Sequence, residues 1–139
     1  MNTEPVIPTI LLVEEDFIFA LSLQVFLKGE FNIIHSNNFE EAVSFLQRCK
    51  VDGCVIDVNL RNTAERATKF IKQYLHGGVE ENRMPITFLA PDHTIISEMS
   101  KLVPTSKSMS IPIDYELFRM LLIKQYFGNV QHHIYAQRA

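Results

Sequence analysis

The chain alternates short runs of consecutive apolar residues with longer stretches whose apolar positions recur at helical spacing. Thr9-Ile10-Leu11-Leu12-Val13 is such a run, stopped by Glu14-Glu15-Asp16, and it suits a strand buried on both faces of a sheet. From Phe17 to Lys28 the residues Ala20, Leu21, Leu23 and Leu27 fall near helical spacing, and Gly29 suits a helix C-terminus. Phe31 to Ser36 reads as a second strand. Asn37 and Asn38 offer caps for a helix to about Cys49, with Ala42, Val43, Phe45 and Leu46 facing inward.

Gly53 to Asp57 reads as a third strand, again ending in a carboxylate. A third helix is expected from Thr63 to His76, stopped by Gly77-Gly78, with the polar loop Glu80-Glu81-Asn82-Arg83 after it. Pro85 to Ala90 reads as strand four, Thr94 to Leu102 as a short helix, and Lys107 to Ile111 as a weak, serine-rich strand five. Pro112 and Asp114 introduce a strong helix, Tyr115 to Phe127, ended by Gly128. Five strands alternating with five helices predict one α/β domain on a parallel sheet with right-handed crossovers. The expected organisation is an extension over 1–8, a domain over 9–127, and a polar tail over 128–139 with the composition of a disordered terminus.

Composition narrows the function classes. The 139 residues are 47% hydrophobic and 21% charged, which is ordinary for a folded globular chain. A net charge of −3 supplies no basic footprint for nucleic acid or anionic lipid. No apolar run approaches membrane-spanning length, and Met1-Asn2-Thr3-Glu4-Pro5 lacks the features of a signal peptide. Cys49 and Cys54 form neither a disulfide framework nor a CxxC pair, so a reducing, cytoplasmic setting is expected, with both thiols buried or half-buried. Neither GxGxxG nor a P-loop is present, and no HExxH or GxSxG. The pair His132-His133 lacks the carboxylate or cysteine companions of a metal site, His35 and His93 are assigned no role, and His76 suits the C-terminus of the third helix.

In an open parallel sheet, ligands bind beyond the carboxyl ends of the strands. Glu14 and Glu15 follow strand one, and Asp57 ends strand three with Asn59 two residues on. Adjacent strands lie about 4.8 Å apart, so their terminal carboxylates would meet. Clustered carboxylates repel unless a cation joins them, and Mg²⁺ accepts one or two of them plus water. The plainer alternative is that these are solvated residues capping the following helices.

Ile10-Leu11-Leu12-Val13-Glu14-Glu15-Asp16, then Asp57-Val58-Asn59, then Ile111-Pro112-Ile113-Asp114 resemble, in order and spacing, the receiver domain of bacterial two-component response regulators. The resemblance covers Thr9 to Phe127. It implies the flavodoxin-like (βα)5 fold with strand order 2-1-3-4-5. It also implies Asp57 as phosphoacceptor, with Glu14, Glu15, Asp57 and the Asn59 carbonyl holding Mg²⁺. A histidine kinase or small phosphodonor would supply the phosphoryl group, the carboxylate acting as nucleophile. The Ile111-Pro112 bond would be cis, as its equivalent in the family usually is. A homodimer through the face of helix 4, strand 5 and helix 5 is consistent with the many apolar residues of the last helix.

The family pattern fails at defined positions. The hydroxyl residue expected at the end of strand four is Ala90, and the lysine expected before Pro112 is Ile111. Thr87 lies about 10 Å back along its strand and on the opposite face, and Lys107 about 13 Å from the required point. Ser108 stands near the place of the usual switch aromatic, and Glu15 is one methylene longer than the usual aspartate. Leu60-Arg61-Asn62 lacks the common proline. Each missing charge-assisted bond to a phosphoryl group is worth about 1.5–3 kcal/mol. The resemblance therefore implies an atypical receiver acting mainly as a protein-interaction module, not as an enzyme beyond self-catalysed phosphoryl transfer to Asp57. The alternatives are a working phosphoacceptor with slow kinetics and an unrelated flavodoxin-like binding protein.

Overall fold

The computed structural model describes residues 7–58, 63–75 and 84–138, with backbone alone for 63 and 129–138. In chain order the elements are β1 (Thr9–Val13), α1 (Phe17–Phe26), β2 (Asn32–Ser36), α2 (Phe39–Arg48), β3 (Gly53–Asp57), α3 (Thr63–Phe70), β4 (Ile86–Ala90), α4 (His93–Leu102), β5 (Lys107–Ser110) and α5 (Tyr115–Arg138). All neighbouring strands are parallel, and the sheet order is β2-β1-β3-β4-β5. This is the flavodoxin-like arrangement that the family resemblance implies.

Side chains alternate across the central strands and build two cores. Leu11, Val13, Cys54, Ile56 and Phe88 pack beneath α2, α3 and α4. Ile10, Leu12, Val55 and Leu89 pack beneath α1 and α5, meeting Ala20, Leu23, Phe118 and Leu122. Each such side chain, fully buried, contributes about 1.5–3 kcal/mol relative to exposure. The continuous apolar runs of β1 and β4 follow from burial on both faces.

Helix starts are chemically marked. Asp16 Oδ1 accepts from the Phe19 N–H at 3.0 Å, Asn38 Oδ1 from the Glu41 N–H at 2.8 Å, and Asp92 Oδ1 from the Ile95 N–H at 3.0 Å. Each bond satisfies an N–H that the first helical turn leaves without a partner. The third helix is shorter than its expected span: α-helical bonding ends at Phe70, and a π-helical turn, Ile71–Leu75, continues it. That turn keeps Ile71 and Leu75 buried against the core. His76, Gly77-Gly78 and the loop to Arg83 lie outside the described residues. Gly128 adopts φ 50°, ψ −127°, which breaks the helix where expected, yet helical backbone resumes beyond it to Arg138. Cys49 is exposed, against the expectation of burial, because it follows the end of α2; Cys54, in the middle of the sheet, is buried. Burial pushes the Cys54 thiol up to about 12.

α5 is fastened to the rest by specific contacts. Tyr115 Oη lies 2.6 Å from Ser22 Oγ, and its ring meets Phe19 and Phe26 edge-on. Arg119 donates Nε–H to Glu30 Oε1 at 2.6 Å and an Nη2–H to Glu30 Oε2 at 2.8 Å. Thr87 Oγ1 donates to Gln125 Oε1 at 2.6 Å.

Candidate functional site

The sheet order places β1 between β2 and β3, and the register fixes which strand ends meet. Val13 pairs with Ile56, so the next residues, Glu14 and Asp57, stand side by side at the carboxyl edge. Both continue the alternation of Leu12 and Val55, so both carboxyls leave the sheet on one face.

Glu14 is almost completely buried, with 4% of its surface exposed. Its backbone is held from both directions: its N–H donates to the Ser36 carbonyl at 2.9 Å, and His35 Nε2 lies 2.7 Å from its carbonyl oxygen. Its Oε1 accepts from the Asp16 N–H at 3.0 Å. Its Oε2 is buried and no protein N–H reaches it among the described residues. Burial, chiefly, and a hydrogen bond with the Asp57 carboxyl raise the Glu14 pKa from 4.5 to about 9.

Glu15 is exposed. Asp16 faces the start of α1, where it is the cap described above. Among the described residues no three carboxylate, imidazole or thiol groups converge as a metal cluster. The structure thus joins Glu14 to Asp57 and leaves Glu15 at the rim; Asn59 and Arg61 fall outside the described residues. Glu14, Glu15 and Asp57 open onto a cleft of about 610 Å³ between the β1–α1 turn, α2 and α3. Its far wall carries Arg66 and Lys69, one helical turn apart, and the ring series Phe39, Phe70 and Tyr74 in successive contact.

The neighbouring positions are apolar. Ala90 is fully buried at the end of β4, and its carbonyl accepts from the Ile111 N–H at 3.0 Å. Ile111 is half-buried, and the bond it forms with Pro112 is cis, as the sequence resemblance implied. Thr87, buried under α5, spends its hydroxyl on Gln125. Lys107 is exposed at the opposite end of β5.

His35, Arg66 and Lys69 carry no signal by spacing alone. The position of His35 follows from pairing: it stands opposite Leu12 in β2, one step before the edge. Arg66 and Lys69 could be found only as a same-face pair of α3.

No protein-family model and no curated protein matches the chain. Solved structures do. A response regulator from Thermotoga maritima aligns with TM-score 0.70 and 25% identity over 86% of this chain and 97% of that one. The signal receiver domain of an HD domain-containing protein from Pseudomonas fluorescens Pf-5 aligns with TM-score 0.70 and 18% identity, over 91% and 99%. A de novo designed Rossmann 2x3 protein also aligns, at TM-score 0.62 and 19% identity over 89% and 92%. Likeness of fold alone therefore carries no activity. With its strand order and the paired carboxylates at the β1 and β3 ends, the chain has the fold of the response regulator receiver domains among its structural neighbours.

Proposed function

We propose that residues 9–127 form an atypical receiver module of two-component phosphorelay signalling that works chiefly by binding other proteins, with Asp57 as potential phosphoacceptor and a degraded switch. The flanking residues 1–8 and 128–139 lie outside that module. The observation that carries this reading is the pair Ala90 and Ile111: a buried methyl and a half-buried aliphatic chain at the two strand ends that would otherwise offer a hydroxyl and a cation. A phosphoryl group on Asp57 would bring strong acceptor oxygens to an edge that supplies neither. Its arrival would gain little from β4 or β5, and no lever would pull on α4 or α5.

The donor set at this edge fits Mg²⁺. The buried Glu14 Oε2, beside Asp57, is an oxygen that needs a proton or a cation. Mg²⁺ would be held by Glu14 and Asp57, with Glu15 and the Asn59 carbonyl as further ligands. When bound, it would neutralise charge on the transferring oxygens. The chain's own part is to present an Asp57 oxygen for attack on phosphorus as the bond to the donor breaks. The partners in this reading are a histidine kinase or another signalling protein. A homodimer through α4, β5 and α5 draws support from α5 alone, where Leu117 and Met120 are exposed; no large apolar side chain of α4 or β5 is exposed among the described residues. No described helix is long and apolar enough to cross a membrane.

A second reading, a working phosphoacceptor with slow kinetics, is favoured by the Glu14–Asp57 pair itself. Intact mass after incubation with acetyl phosphate and Mg²⁺, beside Asp57→Asn, decides between them. No mass gain in either protein is the outcome expected of the interaction module. A gain of one phosphoryl group in the wild type alone establishes the slow phosphoacceptor.

A further inference from the structure

The cleft beside the sheet edge has a wall whose chemistry the strand-end carboxylates do not use. Arg66, Lys69, Phe70, Gln73 and Tyr74 all line it. Steps of three and four residues separate them, which is one continuous helix face. A helix stripe turned towards a neighbouring helix is ordinarily apolar. This one carries two cations, an amide and two rings. Neither Arg66 nor Lys69 has a hydrogen bond or ion pair among the described residues. The stripe crosses from α3 into the π-helical turn Ile71–Leu75, which holds Tyr74, and turns of this kind recur at functional sites.

From α2, Phe39 and Val43 line the same cleft, both half-buried. The rings make a continuous surface: the centroids of Phe39 and Phe70 lie 5.1 Å apart, and those of Phe70 and Tyr74 5.9 Å. Phe70 is buried and Tyr74 is 42% exposed, so this surface runs from the core out to solvent. The cleft volume of about 610 Å³ falls within the roughly 300–1,000 Å³ of small-molecule sites, which are likewise largely apolar with a few placed polar groups.

Charge selects the occupant. A cationic ligand on these rings would sit against Arg66 and Lys69 of the same helix face. An anionic group answers both, while a planar ring packs on the aromatic side chains by offset or edge-on contact. The acidic side chains of the cleft belong to the sheet edge, the β1–α1 turn and the start of α2. They disfavour an anion at those places and so turn it towards α3.

We propose that the cleft between α2 and α3 binds a small aromatic anion, its ring against Phe39, Phe70 and Tyr74 and its carboxylate or phosphate against Arg66 and Lys69. Gln73 offers an amide donor to the same group. The site takes none of its ligand contacts from the residues assigned to phosphoryl transfer or to Mg²⁺.

The test is amide NMR of the full chain in EDTA, titrated separately with indoleacetate, adenosine monophosphate and tryptamine. EDTA keeps any Mg²⁺ site out of the result. Indoleacetate presents a carboxylate and adenosine monophosphate a phosphate, whereas tryptamine carries the indole ring with a cation in place of the anion. At least one of the two anions is expected to bind saturably at sub-millimolar concentration, with the largest shifts at Phe39, Val43 and the α3 stripe; the tighter of the two identifies the anionic group. Tryptamine should give no saturable shift. Arg66→Gln/Lys69→Gln should weaken the anion by more than about tenfold, and Tyr74→Ala by up to about tenfold. All three side chains are exposed, so circular dichroism should be unchanged. Failure of both anions to bind at millimolar concentration overturns the proposal. So does tryptamine binding as tightly as the anions, an anion whose affinity survives the double substitution, or shifts centred outside α2 and α3.

Discussion

The hydroxyl oxygen of Tyr126 stands 1.7 Å from the point where a β-carbon on Gly53 would lie. Tyr126, in the middle of α5 just before the break at Gly128, therefore rests directly on the backbone of β3, at the opposite end of the strand from Asp57. The Tyr126 ring packs against Phe31, and burial pushes its phenol well above the usual range. Gly53 is required here for space.

Gly53→Ala is expected to destabilise the fold by about 1–3 kcal/mol, the usual cost of overpacking. Tyr126 Oη is buried with no hydrogen-bond partner among the described residues, so Tyr126→Phe should be neutral or mildly stabilising. Combining the two should recover part of the loss, because the nearest clashing atom is gone. Urea denaturation of the four proteins measures that coupling; strict additivity would contradict the contact.

Glu14 gives a pH dependence of defined sign. Its pKa is about 9 in the folded protein against 4.5 as a free side chain. Between those values the folded state keeps a proton that the unfolded state has lost, so stability falls as pH rises through this window. The slope cannot exceed about 1.4 kcal/mol per pH unit for one proton. Glu14→Gln, which keeps a donor facing Asp57, should flatten the profile and be the more stable protein at alkaline pH. Denaturant midpoints across the window read this directly.

Magnesium should act where the proton has left. If the Glu14–Asp57 pair holds the ion, added Mg²⁺ raises the thermal midpoint more at alkaline than at mildly acidic pH, and Asp57→Asn abolishes the effect. An equal response at both pH values would place Mg²⁺ elsewhere.

Ala90→Thr with Ile111→Lys should restore what β4 and β5 lack. Each recovered charge-assisted bond is worth about 1.5–3 kcal/mol, so the double variant should be phosphorylated by acetyl phosphate under conditions that leave the wild type unmodified. The half-buried setting of Ile111 leaves a lysine head room to reach solvent or an anion. Phos-tag electrophoresis of the wild type and the double variant gives the comparison.

Thr87 belongs to a different circuit. Thr87→Val removes the donor to the half-buried Gln125 and should cost about 1 kcal/mol, the net worth of the lost hydrogen bond. It should leave the outcome of acetyl phosphate treatment unchanged.

The sequence patterns carried the fold further than the site. Continuous apolar runs marked β1, β3 and β4 because both faces of a central strand are buried, and Asn38 announced its helix through a local bond. Glu14 and Asp57 were legible as strand-end carboxylates. Their unequal exposure was not, since it depends on neighbouring elements that a strand's own pattern does not place. Glu15, adjacent in sequence and identical in chemistry, points to solvent. The π-helical turn after Phe70 was hidden because its side chains keep an apolar pattern compatible with an α-helix. The resumed helix beyond Gly128 was hidden because a glycine that stops one helix says nothing about the next.

The Arg119–Glu30 pair spans 89 residues of chain. Contacts of such separation carry a large loop-closure entropy and reward the chain only after the intervening elements are in place. During synthesis, β1 through β4 emerge before Arg119, while the face of the sheet beneath α5 still awaits its cover. Completion of the domain is thus tied to the arrival of its last helix. A chain stopped short of Tyr115 would display Ile10, Leu12, Val55 and Leu89 to chaperones and proteases, giving the cell a direct means of distinguishing finished from unfinished copies.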